Sequence, residues 1–113
     1  MEIPKTGMTI DAAMKSAKEE GHMMTLEDIT KKLHEDFPDE ISDANTYLSM
    51  AECAYQMEHQ ELAHYLCEMA KDEFSHATFI HEYLKKTGIP IDEEDAMEWS
   101  KLEERFRKKF REA

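Results

Sequence analysis

Glu40-Ile41-Ser42-Asp43-Ala44-Asn45-Thr46-Tyr47-Leu48-Ser49-Met50 and, further along, Glu73-Phe74-Ser75-His76-Ala77 are the two stretches that decide how this chain reads. Each lies in a run of apolar residues at three-four spacing. The first run, from Glu40 to about Gln56, carries Ile41, Ala44, Tyr47, Leu48, Ala51, Ala54 and Tyr55. The second, from about Glu61 to Lys86, carries Leu62, Leu66, Met69, Ala70, Ala77, Ile80 and Leu84. That period gives a helix one apolar face. Glu40, Glu73 and His76 interrupt those faces. Glu73 and His76 are one turn apart on the same side, with Met69 and Ala70 before them and Ala77 and Ile80 after. A carboxylate or imidazole in such a setting is costly unless something compensates it.

Glu-x-x-His spacing alone says little, because Glu19/His22, Glu61/His64 and Glu73/His76 all have it. The first runs through Gly21 at an expected helix end. The second lies about 120° around an ideal helix from the third and cannot share its buried face. Geometry couples Glu40 to the third. In an antiparallel hairpin, residues at one level are equidistant from the turn. The midpoint of 40 and 73 falls inside Gln56-Met57-Glu58-His59-Gln60-Glu61, the most polar stretch of the region. Each group then sits about 25 Å along its helix from the turn, at ~1.5 Å per residue. The turn contains neither Gly nor Pro, so one continuous helix is the competing reading.

Outward from this hairpin the chain reads as a single all-α domain over residues 1–113. Residues 1–24 form an N-terminal tail with a short helix over Thr9–Glu20, its apolar side made by Ile10, Ala13, Met14 and Ala17. The first long helix covers 25–57. Thr25-x-x-Asp28 is a capping-box pattern with Asp in place of Glu, and Leu26, Ile29, Leu33 and Phe37 make a stripe. Pro38 either kinks this helix or opens a new one. The second long helix covers 60–87 and stops at Thr87-Gly88-Ile89-Pro90. A last amphipathic helix covers 92–112. Asp92–Asp95 make its start acidic and Arg105, Arg107, Lys108, Lys109 and Arg111 make its end basic, as the helix dipole prefers. Trp99, Phe106 and Phe110 read as packing residues. His22, His34, His59, His64 and His81 are expected at the surface or in local hydrogen bonds.

Composition narrows the function. The chain has 113 residues, 26 acidic and 14 basic, for a net charge of −12. Such a balance argues against nucleic acid, whose phosphates need a basic patch, and against an anionic membrane surface. No apolar run approaches the ~20 residues that cross a bilayer. MEIPKTGMTI carries no positive-then-apolar signal pattern, so a cytoplasmic protein is expected. Cys53 and Cys67 form no C-x-x-C, which excludes a zinc ribbon, a rubredoxin knuckle or a thioredoxin-type site. They are expected to be reduced and partly buried. A core this small makes self-association a reasonable expectation.

The Glu40 to Met50 segment, followed by Glu73-Phe-Ser-His76-Ala, resembles the first half of a ferritin-like di-iron bundle, closest in style to rubrerythrins. The resemblance covers about residues 37–86. It implies that Glu40, Glu73 and His76 are metal ligands and that Tyr47 is a neighbour hydrogen-bonded to a ligating carboxylate. A complete site of this type takes a Glu from each of two helices and Glu-x-x-His from each of the other two. No second set follows residue 86. The repair is symmetry: two copies of the hairpin make a four-helix bundle with two metals at the homodimer interface. Half-length proteins such as encapsulated ferritins resemble this plan, although no cargo peptide is evident in the charged C-terminal helix. Iron is the implied metal, two ions per dimer, with manganese or zinc as alternatives. Ferroxidase activity or reduction of O2 or H2O2 is the implied chemistry. From another class, a non-catalytic acidic helical module that binds a protein partner, with at most a structural ion, is the alternative.

Overall fold

The computed structural model describes residues 9–19 and 24–111. They form four helices in chain order: α1 (Ile10–Glu19), α2 (Leu26–Gln56), α3 (Gln60–Lys86) and α4 (Glu93–Lys109). Among the described residues no strand is present, and no helix is long and apolar enough to cross a membrane. The expected tail at residues 1–8 and the helix end at Gly21 lie outside the described residues.

The capping box at Thr25 is formed. The Asp28 amide donates to the Thr25 hydroxyl at 3.0 Å, and the Thr25 amide donates to the Asp28 carboxylate at 3.1 Å. α2 then runs unbroken through Pro38. Proline withholds one donor from the His34 carbonyl, and Pro38 lies on the exposed side of the helix, where water can replace it.

The polar stretch after Gln56 is a turn, not continuous helix. The His59 amide donates to the Ala54 carbonyl at 2.9 Å and the Glu58 amide donates to the Tyr55 carbonyl at 3.0 Å. This is the Schellman pattern, which requires a left-handed residue; Glu58 fills that place with φ 64°. α3 ends in the same way, with Ile89 bonded to Leu84, Gly88 bonded to Lys85 and Gly88 at φ 73°.

α2 and α3 form the expected antiparallel hairpin, and α4 folds back over one of its faces. Phe37, Ile41, Ala44 and Leu48 from α2 meet Ala70, Ala77, Ile80 and Leu84 from α3 and Trp99, Leu102 and Phe106 from α4 in one buried cluster. Its aromatic rings stack: Phe74 lies 5.6 Å from Trp99 and 4.5 Å from Phe106. Full burial of each such side chain contributes about 1.5–3 kcal/mol. A smaller cluster of Ala51, Ala54, Ala63 and Leu66 fills the turn end.

Two expectations for histidines are corrected here. His81 is neither exposed nor locally bonded. It is half-buried, stacked 4.9 Å from Trp99 and 6.0 Å from Phe37, because α4 lays its indole over that turn of α3. His34 reaches the Pro90 carbonyl at 3.1 Å, tying the α3–α4 link to the start of α2. His22 lies outside the described residues. Cys67 is a half-buried free thiol as expected, but Cys53, expected to be partly buried, is exposed. Among the described residues, α1 packs against none of the other helices.

Candidate metal centre

Glu40 comes from the middle of α2, and Glu73 and His76 from the middle of α3. The hairpin brings them to one level, as equal distance from the turn requires. The His76 Nδ1 lies 3.3 Å from the Glu73 Oε1 and 3.5 Å from the Glu40 Oε2. One donor atom from each of the three residues falls within 4.8 Å of the other two. The carboxylates are sheltered, with side chains 24% exposed for Glu40 and 21% for Glu73, while His76 is 58% exposed and forms the outer rim. The trio faces away from α4, on the open side of the hairpin.

The electrostatics disfavour an ionised Glu40. Burial pushes the Glu40 carboxyl up to about 7; Glu73 beside it pushes the same way, and His76 opposes both. Glu40 Oε2 is buried and, although the His76 Nδ1 lies 3.5 Å away, makes no hydrogen bond of proper geometry. An unsatisfied buried acceptor costs about 1–3 kcal/mol, and native proteins rarely keep one without a use. Two carboxylate oxygens and an imidazole nitrogen converging on one point are a donor set for iron, manganese or zinc, and a cation there would satisfy the orphaned oxygen. The residues therefore fit a metal.

Tyr47 lies two turns from Glu40 on the same side of α2, half-buried between the two apolar clusters. Among the described residues its hydroxyl makes no hydrogen bond to Glu40 or Glu73. Glu61 and His64, the rejected Glu-x-x-His pair, are both exposed. A cavity of about 740 Å³ lies elsewhere, under the end of α4, with Leu48, Ala63, Cys67 and Phe110 among its walls. None of the trio lines that cavity.

Arg105 is the residue whose importance the sequence hid. Read as part of the basic end of α4, it donates to the Asn45 carbonyl at 3.1 Å, the Asn45 side chain at 2.9 Å, the Ser49 hydroxyl at 3.0 Å and Glu52 at 2.8 Å. Lys109 joins it on Glu52, whose carboxyl is held below its ordinary range by the Lys109 hydrogen bond first and by Arg105 as well. No local pattern announces a contact between residues so far apart in sequence.

Paired helices that present two carboxylates and an imidazole at one level have the arrangement from which ferritin-like metal sites are built. The family model for rubrerythrin matches residues 31–113, and the chain belongs to the rubrerythrin family. No curated protein and no solved structure matches it.

Proposed function

We propose that this protein is a di-metal oxidoreductase whose site is completed by a second copy of the chain, with iron as the metal and O2 or peroxide as the oxidant. The orphaned, buried Glu40 Oε2 carries the reading. One chain offers three ligands, whereas a dinuclear site of this class takes four carboxylates and two imidazoles. Two copies supply that set.

The position of the trio favours this pairing. It lies near the middle of α2 and α3, so a twofold axis perpendicular to the helices at that level lays the second hairpin along the whole of the first. Ile29 lies eleven residues before Glu40 and Leu62 eleven before Glu73, each about three turns away on the ligand side. Because the helices are antiparallel, the axis sets Ile29 of one copy against Leu62 of the other. Both are uncovered in the single chain, 43% and 51% exposed. α4 occupies the reverse face and leaves this one for pairing.

With iron bound, these ligands would hold a reductant able to supply electrons to O2 or peroxide. Glu40 and Glu73 would bind it and balance its charge, and His76 would add a neutral donor. Glu40 must give up its proton to bind, so loading strengthens as pH rises towards 7. Tyr47 would offer a phenol to orient or protonate a carboxylate across the dimer.

Sedimentation of metal-free protein, with and without added Fe(II) or Mn(II), tests the reading. Expected is a dimer tightened by metal, weakened at least tenfold in Ile29→Glu and deaf to metal in Glu73→Ala. A monomer indifferent to both ions would overturn it and favour the acidic interaction module.

A further inference from the structure

The basic residues of this acidic chain are not spread evenly. Lys71 and Ser75, one turn apart on α3, face Arg107 on the last turn of α4 and Arg111 just beyond it across a groove of about 370 Å³. The floor of the groove is aromatic, made by Phe74, Phe106 and Phe110. The Lys71 ammonium sits 5.6 Å from the centre of the Phe110 ring, so the cation is held over the floor. Among the described residues a single carboxylate, Glu103, stands at the edge. Among the described residues, none of the three cations is in an ion pair.

Two features set this apart from the ordinary enrichment of cations at a helix C-terminus. The charges come from two helices, and they surround a concave apolar surface. Three like charges gathered with one carboxylate repel one another. They do so in a chain with 26 acidic residues that could have been placed to neutralise them. A volume within the range of small-molecule sites, an apolar floor and a few convergent charged groups are what such a site requires.

We propose that this groove binds a small organic anion with a flat apolar body: the ring packs against the exposed parts of Phe74 and Phe110, which the buried Phe106 backs, and its phosphate or carboxylate is held by Lys71, Arg107 and Arg111. The Ser75 hydroxyl adds a neutral hydrogen-bond donor at the rim. The metal ligands take no part, so the site stands or falls independently of the di-metal reading.

The test is a fluorescence titration of the full chain with flavin mononucleotide, beside riboflavin and inorganic phosphate. Expected is saturable binding of the flavin phosphate, at least tenfold weaker for riboflavin, which lacks the charge, and for phosphate, which lacks the ring. Arg107→Glu with Arg111→Glu should weaken it at least tenfold with helicity unchanged, while Lys31→Glu at a distant site should not. A matching carboxylate, 1-naphthoate, distinguishes phosphate from carboxylate preference, and saturable binding of either supports the site. Equal affinity for riboflavin, indifference to the Arg reversals, or no saturable binding of either anion would overturn it. So would a change in oligomeric state on charge reversal without any change in anion binding, since the patch would then be a protein contact.

Discussion

The two broad faces of the α2–α3 hairpin are finished in different ways. One is closed within the chain: α4 covers it with Trp99, Leu102 and Phe106, and Arg105 fastens α4 to α2 through Asn45, Ser49 and Glu52. The other keeps Ile29 and Leu62 uncovered and places Glu40, Glu73 and His76 at its centre with a buried acceptor unsatisfied. Packing stabilises the first face without help. The second, on the proposed reading, is stabilised by what binds it. On the proposed reading, a small chain thereby separates the face that keeps it folded from the face that does chemistry.

The strongest way to break that contrast is Trp99→Ala. Removing the indole from between Phe37, Phe74 and His81 should cost about 3–5 kcal/mol in denaturant unfolding. Metal bound per folded molecule should not change, because the trio lies on the other side. Arg105→Ala is next, at about 1–2 kcal/mol, since its charge-assisted hydrogen bonds are partly exposed. It should loosen α4, read as faster amide exchange in α4 than in α2, again with metal binding kept.

The two faces should also carry opposite pH signatures, read from thermal melts of metal-free protein. On the open face the Glu40 carboxyl is raised to about 7 in the fold, so the folded state holds a proton that the unfolded state releases. Its contribution is largest below about pH 4.5 and is lost as pH rises to about 7. Glu40→Gln should remove that slope. On the α4 face, burial first and Lys85 second lower His81 from its ordinary value, with Glu103 and Glu82 opposing. Stability from His81 is complete above about pH 6.5 and is lost as pH falls below it. His81→Phe should remove the acid limb alone.

Much of this contrast could be read before any coordinates. The apolar period gave both long helices, and the break in that period gave Glu40, Glu73 and His76. The symmetric distances of Glu40 and Glu73 from residues 56–61 placed the two helices side by side. What the sequence concealed was non-local or rested on an unusual residue. Arg105 looked like a dipole partner because its targets lie in another helix. His81 looked like a surface histidine because only α4 buries it. The two helix stops show the second kind of gap. Gly88 announced one stop, since glycine adopts the left-handed conformation freely. Glu58 makes the same hydrogen bonds at the other, at a cost of about 1 kcal/mol for its Cβ. Glu58→Gly should therefore raise stability by about 1 kcal/mol, the smallest effect predicted, with both faces unaltered.

Native mass spectrometry of the chain reconstituted with Fe(II) without oxygen addresses the open face most directly. The expected species is a dimer carrying two irons, reduced in Glu73→Ala to protein without bound metal. An iron-bound monomer, or a dimer that holds together at full strength with no metal site in either copy, would contradict it.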